Sequence, residues 1–253
     1  MILSAAVFTL GLIIGSFLNV CIYRLPRQES IISPASHCPS CKSPIKVYDN
    51  IPIISFLNLR GRCRTCSAAI SKQYPLVEAI HAVGYLALFH RFGHSIETVI
   101  YGAFFSALVV ITFIDLFHQI IPDVITYPGI PLCLVLASTV LPLGPVQAAI
   151  GCLIGGGLFF LIAILSEALL KREGMGGGDI KLVAMIGALV GWDKVLLAIF
   201  SASLFGSIIS MSLMLFRVIN RRDLIPFGPF LAIGALIALF WGNPILDRFF
   251  YRI

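Results

Sequence analysis

Long apolar runs separated by short polar segments make up most of this chain. The runs cover residues 1–23, 76–92, 97–117, 123–142, 146–170, 179–191, 193–217 and 226–241. Most of them approach the roughly 20 residues that an α-helix needs to cross a bilayer. They are continuous rather than alternating, which argues against a transmembrane β-barrel. The pattern predicts an all-α membrane protein with about eight transmembrane helices. The fourth contains Pro128 and Pro131, so it is kinked or begins later than drawn.

The composition supports this class and then indicates an orientation. Of the 253 residues, 58% are hydrophobic and 12% are charged. The net charge of +6 does not require a nucleic-acid partner, because basic residues in membrane proteins hold the adjoining loops on the cytoplasmic side. With the N-terminus outside, 14 of the 18 Lys and Arg residues fall in cytoplasmic segments. We therefore expect residues 24–75 and 173–182 at the cytoplasmic face, contact with membrane lipid, and no nucleic-acid partner.

One long polar stretch divides the chain into three parts. Residues 1–23 lack the basic start and the small-residue cleavage site of a signal peptide, so we expect them to form the first transmembrane helix. Residues 24–75 form the polar cytoplasmic segment. Residues 76–253 are predicted to form the remaining bundle of membrane helices.

The polar segment contains two CxxC pairs separated by 21 residues. Four thiolates in this arrangement are typical of a tetrahedral zinc site, and about 50 polar residues have too small a core to fold unaided. The alternatives are disulfides or free thiols, and a reducing cytoplasm disfavours disulfides. With four cysteine ligands, no coordination position would remain for a reactive water. The predicted zinc ligands are Cys38, Cys41, Cys63 and Cys66.

Two aspartates interrupt apolar sequence at what we predict to be the same depth. Asp115 lies near the end of the third run, in TFIDLFHQIIPD, and Asp179 opens the sixth run, in GMGGGDIKL. Two close carboxylates can share a proton and activate a water molecule, as in aspartic proteolysis. The glycines Gly176, Gly177 and Gly178 would form a loop that lets an extended substrate backbone approach. The alternative is that Asp179 is a helix N-cap preceded by an ordinary loop.

Two functions from other classes compete with proteolysis. The aspartates could relay protons or bind cations in a carrier, although they cluster at one edge rather than near the midplane. The cysteine segment could serve as a docking surface of a non-catalytic assembly factor. The chain contains no GxSxG, HExxH or Walker-type motif, so serine hydrolase, zincin and nucleotidase functions lack support.

Five motifs, in order, resemble those of the type IV prepilin peptidases, also called prepilin leader peptidase/N-methyltransferases. The N-terminal motif is GLIIGSFLNVCIYRLP, and the cysteine segment contains CPSC, YDNIPIISFLNLRGRCRTC and YPLVE. The two aspartate motifs are FIDLFHQIIPD and GMGGGD, and the C-terminal motif is PFGPFLAIG. Together they cover essentially the whole chain.

The resemblance implies a specific activity and location. It maps the catalytic pair onto Asp115 and Asp179. It implies cleavage of a prepilin or pseudopilin, whose basic leader ends in glycine and precedes a hydrophobic helix, at the cytoplasmic face of a bacterial inner membrane. The cysteine segment favours a second activity, methylation of the new N-terminus with S-adenosylmethionine. No glycine-rich cofactor loop is visible in residues 24–75, so the methyl-donor site is not identified.

Overall fold

The computed structural model describes residues 2–170, 175–218, 220 and 225–249, and this part of the chain is mostly helical. It contains nine α-helices: α1 Ile2–Arg24, α2 Ile54–Asn58, α3 Gln73–Phe92, α4 Ile96–His118, α5 Asp123–Thr139, α6 Pro145–Leu170, α7 Gly177–Val190, α8 Trp192–Leu215 and α9 Gly228–Phe249. Short 3-10 turns span Leu25–Arg27 and Val47–Asp49. The predicted all-α class is confirmed.

The long helices follow the apolar runs to within a few residues at most ends. The largest difference is at α9, which ends eight residues beyond the predicted end. Its last two turns are helical even though they include Pro244. Within the described residues, five helices are long and apolar enough to cross a membrane: α1, α4, α6, α8 and α9. The 14 residues of α7 would span about 21 Å, less than the roughly 30 Å of a hydrocarbon core. The total of eight spans therefore stays a prediction.

The chain forms two compact units, with a boundary inside α4 between residues 110 and 111. The predicted division into residues 1–23, 24–75 and 76–253 remains a prediction about topology. Five basic residues of the charge count lie outside the described residues: Lys171, Arg172, Arg221, Arg222 and Arg252.

Packing in the first unit centres on α1 and α3. Small residues allow membrane helices to approach closely, and a Cβ atom at Gly15 would lie only 2.9 Å from the Cα of Glu78. His81 on α3 is fully buried and donates a hydrogen bond of 2.8 Å from Nδ1 to the carbonyl of Gly11. These contacts fix the register of the two helices.

Packing in the second unit joins α7 to α5, α6, α8 and α9. Gly151 on α6 approaches α7 so closely that a Cβ atom on it would lie 2.2 Å from the carbonyl oxygen of Gly187. Residues 182–190 of α7 are all buried. The N-terminal ends of α7 and α9 thus start from a tightly packed bundle, and both carry parts of the site described next.

Candidate active site and metal centre

Asp115 lies near the C-terminal end of α4, three residues before the helix ends, and is only 5% exposed. Its Oδ2 accepts a hydrogen bond of 2.8 Å from the backbone N–H of Gly228, the first residue of α9. The positive end of the α9 dipole therefore faces this carboxyl group. A Cβ atom at residue 228 would lie 2.7 Å from the same oxygen, so glycine alone permits this approach.

Asp179 is the third residue of α7 and is half-buried. The N-cap of α7 is Gly176, so the structure excludes the alternative in which Asp179 is the N-cap residue. The N–H of Asp179 bonds to the Gly176 carbonyl at 3.1 Å, and a Cβ atom at Gly176 would lie 3.3 Å from Oδ2 of Asp179. An acid in this position supports the start of the helix, as in one half of a capping box.

The two aspartates belong to the same unit, and their carboxyl groups interact electrostatically. Two further contacts join the segment after α4 to the first turns of α7. A Cβ atom at Gly178 would lie 2.8 Å from the Cβ of Ile121, and Lys181 forms an ion pair with Asp123. Two neighbouring carboxyl groups can divide the roles of base and acid on one water molecule.

The glycines before Asp179 are not a continuous loop, which corrects the expected substrate-approach loop of residues 176–178. Gly176 precedes the helix, whereas Gly177 and Gly178 form its first turn, which the Asp179 N–H closes by bonding to the Gly176 carbonyl. Gly178 packs against Ile121, in the segment that follows α4. A Cβ atom at Gly177 would meet no described atom within 4 Å.

The four cysteines lie on two loops of the same conformation. In each loop the first cysteine's N–H bonds to the carbonyl five residues later, and its carbonyl accepts the N–H four residues later. The paired bonds are Cys38–Ser43 and Lys42–Cys38 in the first loop, and Cys63–Ala68 and Ser67–Cys63 in the second, all between 2.9 and 3.0 Å. Lys42 and Ser67 share a positive φ, 59° and 58°. The sequence did not reveal this repeat, because the two loops share only their cysteines.

The cysteine sulfurs form a cluster that could hold a metal ion. All four Sγ atoms lie within 4.8 Å of one another, Cys38 and Cys66 being 3.9 Å apart, and none is in a disulfide. A tetrahedral zinc ion with Zn–S bonds of about 2.3 Å would hold its sulfurs about 3.8 Å apart. A hydrogen bond with the Ser43 side chain lowers the pKa of Cys41 to about 6, whereas hydrogen bonds with Cys41 and Cys63 raise the pKa of Cys66 to about 11. The four thiols therefore do not all ionise alike, and a bound cation would hold them as thiolates.

A salt bridge connects the second cysteine loop to the turn at residues 47–49. Arg64 donates from Nε and one terminal nitrogen to the two carboxylate oxygens of Asp49, at 2.8 and 2.6 Å. Hydrogen bonding to Arg64 holds the pKa of Asp49 below its ordinary value. Because Arg64 is exposed, this pair contributes little stability and mainly orients the loop.

Gly228 is the residue of the site that the sequence prediction missed. It falls within PFGPFLAIG, a motif that carries part of the family resemblance but had no assigned role. The available signal was a glycine immediately before a proline at the start of an apolar run. That pattern predicts a helix start, but it cannot identify the carboxyl group that the first N–H contacts.

Two parts of the chain match known families. Residues 9–92 match the bacterial peptidase A24 N-terminal domain, and residues 102–211 match the type IV leader peptidase family. No solved structure matches the chain significantly.

Several curated proteins named prepilin leader peptidase/N-methyltransferase are similar to nearly the whole chain. The protein from Aeromonas salmonicida (strain A449) is 37% identical over 266 residues, covering 94% of this chain and 91% of the relative. The Pseudomonas aeruginosa protein is 36% identical over 261 residues, covering 93% and 89%. The Pseudomonas putida protein is 33% identical over 258 residues, covering 93% and 90%.

Proposed function

The chain belongs to the type IV leader peptidase family, and from this membership we propose that it processes type IV prepilins or pseudopilins. It cleaves the leader peptide and then N-methylates the new N-terminal residue with S-adenosylmethionine. The family and the names of the relatives indicate both activities. They give no support to the carrier or to the non-catalytic assembly factor.

The interacting pair of buried and half-buried aspartates is the observation that supports the peptidase mechanism. Asp115 and Asp179 act as one dyad. One carboxylate, ionised, removes a proton from water, while the other, protonated, donates a hydrogen bond to the scissile carbonyl. The water oxygen bonds to the carbonyl carbon, and the C–N bond then breaks as the leaving nitrogen takes a proton from the dyad.

A backbone amide keeps Asp115 in position during this cycle. The Gly228 N–H donates to Oδ2 of Asp115. This donor restricts the rotation of the carboxyl group, so little reorganisation is needed when a substrate binds. Gly176, just before α7, presents a backbone without a side chain to an extended substrate.

The four-cysteine cluster holds a zinc ion with a structural role. Cys38, Cys41, Cys63 and Cys66 fill all four positions, so zinc supplies folding free energy to residues 24–75 rather than an activated water. S-adenosylmethionine supplies an electrophilic methyl group for the second reaction. That reaction belongs to the part of the chain that carries the cysteine segment.

The protein is a multi-pass membrane protein, and its active site faces the cytoplasm of a bacterial inner membrane. This orientation is supported by the excess of basic residues in the segments next to both aspartates and all four cysteines. The partners are a prepilin or pseudopilin, whose helix lies in the bilayer, and the surrounding lipid. Nucleic acid is not a partner.

A direct test uses purified protein in detergent, a prepilin and S-adenosylmethionine. Mass spectrometry should detect loss of the leader peptide and then addition of one methyl group to the new N-terminus. If folded, zinc-containing protein leaves the prepilin intact, that result would contradict the proposed peptidase activity. A cleaved pilin that stays unmethylated would contradict the second activity alone.

A further inference from the structure

A second buried carboxyl group lies in the first unit, away from any role in the aspartate pair. Glu78 on α3 is 6% exposed. Its Oε2 accepts a hydrogen bond of 2.7 Å from the N–H of Ile53. This donor is not a cation, and the ion pairs found in the described part of the chain do not include Glu78. A buried carboxylate is costly unless a cation or several donors reach it, and one backbone N–H fills only one of its roughly four acceptor positions.

An unpaired amide oxygen lies on α1, the helix that packs against α3. Asn19 on α1 is 2% exposed, and its Nδ2 donates to the carbonyls of Gly15 and Tyr74 at 3.3 and 3.1 Å. Its Oδ1 has no hydrogen-bond partner among the described residues. Flipping the amide would place that oxygen against two carbonyl oxygens, so the orientation is fixed by its neighbours. A buried acceptor without a donor is rare, and it points to a donor supplied by a ligand.

The residues that carry the two oxygen acceptors meet in the packing of α1 against α3. Asn19 bonds to the carbonyl of Tyr74, which precedes Glu78 by one helical turn. It also bonds to the carbonyl of Gly15, whose Cβ position would lie 2.9 Å from the Cα of Glu78. Asn19 lies five residues before the end of α1 and Glu78 five residues after the start of α3, so both are at the same depth.

The polar segment reaches this position through a strained residue. Ile53 has a φ of 59°, which is unfavourable for a β-branched side chain. Its N–H is the group that bonds to Glu78. Strain of this kind persists where the surroundings enforce it, and it often occurs at functional sites. The cysteine-containing segment therefore closes over the carboxyl group that α3 presents.

We propose that Glu78 and Asn19 bind the free α-amine of mature pilin for methylation, an inference that rests on the proposed N-methyltransferase activity. Asn19 Oδ1 and the Glu78 carboxylate accept hydrogen bonds from the amine. The amine nitrogen forms a bond to the methyl carbon, the methyl–sulfur bond breaks with its electron pair going to sulfur, and the amine proton passes to Glu78. A carboxylate and an amide oxygen suit this substrate because an amine offers only donors.

The test compares Glu78→Gln with wild type by three measurements. These are methylation of pre-cleaved, mature pilin, leader cleavage of prepilin, and zinc content. Glutamine retains an oxygen for the Ile53 N–H but carries no charge and cannot take the proton. Methylation of mature pilin should fall about 100-fold or more, whereas leader cleavage and zinc content should stay unchanged. Glu97→Gln is the matched control, because Glu97 lies in the same unit, in the first turn of α4, and should leave every readout unchanged.

A binding measurement separates amine recognition from activity. A fluorescent peptide with the N-terminal sequence of mature pilin and a free α-amine should bind Glu78→Gln and Asn19→Leu about tenfold more weakly than wild type. The same peptide with an acetylated N-terminus should bind wild type and both variants equally. Methylation by Glu78→Gln within about threefold of wild type, or equal losses for both peptides, would overturn the inference. If wild type itself does not methylate, the proposed second activity fails, and the peptide comparison alone decides on Glu78.

Discussion

Replacing Gly228 with alanine tests whether the α9 N-terminus positions a catalytic aspartate. The added Cβ atom would lie 2.7 Å from Oδ2 of Asp115 and 3.2 Å from its Cγ. The carboxyl group would have to retreat by about 0.7 Å to reach an ordinary contact of 3.4 Å. This movement would lengthen the hydrogen bond from the residue 228 N–H, now 2.8 Å.

The expected loss follows from these distances. A hydrogen bond to a charged group is worth about 1.5–3 kcal/mol, and a displacement near 1 Å at a catalytic group can reduce a rate about 100-fold. We therefore expect the kcat for prepilin cleavage to fall about 100-fold in Gly228→Ala, with a small change in KM. The assay is single-turnover cleavage in detergent, followed by gel or mass spectrometry.

Two controls show whether the loss is local to the dyad. Gly157→Ala, on α6, adds a Cβ atom that meets no described atom within 4 Å and should cleave like wild type. Methylation of pre-cleaved pilin by Gly228→Ala should also be unchanged. Cleavage by Gly228→Ala within about threefold of wild type would refute the positioning role of the α9 N-terminus.

Four further substitutions test three separate parts of the structure. In the glycine motif, Gly177→Ala should retain cleavage, since its Cβ position is open, whereas Gly178→Ala should lose at least about tenfold; equal activities in a cleavage assay would contradict this contrast. Cys41→Ser should lower the zinc content and increase proteolysis within residues 36–70 without preventing membrane insertion, as measured by elemental analysis and limited digestion; unchanged zinc would argue against the site. Gly151→Val should destabilise the α6–α7 contact by about 1–3 kcal/mol, because its Cβ position is 2.2 Å from the Gly187 carbonyl, and thermal unfolding without a lower Tm would disprove that packing.

The sequence predicted the long helices well because their apolar runs have the length that a bilayer requires. It was less informative at the ends of helices, where single hydrogen bonds decide the boundary. The start of α7 shows this: Gly177 and Gly178 are helical, and the Asp179 N–H bonds back to the Gly176 carbonyl. The apolar pattern also did not predict that α9 continues past Pro244 to Phe249.

The candidate sites divide in the same way. The two CxxC pairs predicted one metal cluster that includes Cys38 and Cys63. The signal is visible in the sequence because each pair brings two thiols together within one short turn. The contact between Gly228 and Asp115 joins residues 113 positions apart, and the unpaired oxygen of Asn19 depends on two carbonyls on different helices. No periodicity in a single sequence identifies such pairs, because they are set by how the helices pack.

The central claim is that Asp115 and Asp179 form one catalytic dyad, and asparagine substitutions test it most directly. Asparagine keeps an oxygen for the backbone donors at both positions but cannot cycle a proton. Asp115→Asn and Asp179→Asn should each reduce prepilin cleavage at least about 1,000-fold, and the double variant should be little worse, because the pair acts as a unit. Asp123→Asn, which loses only the exposed ion pair with Lys181, should cleave normally, and methylation of mature pilin should survive in all variants. Substantial cleavage by Asp179→Asn, or losses that multiply in the double variant, would contradict the dyad.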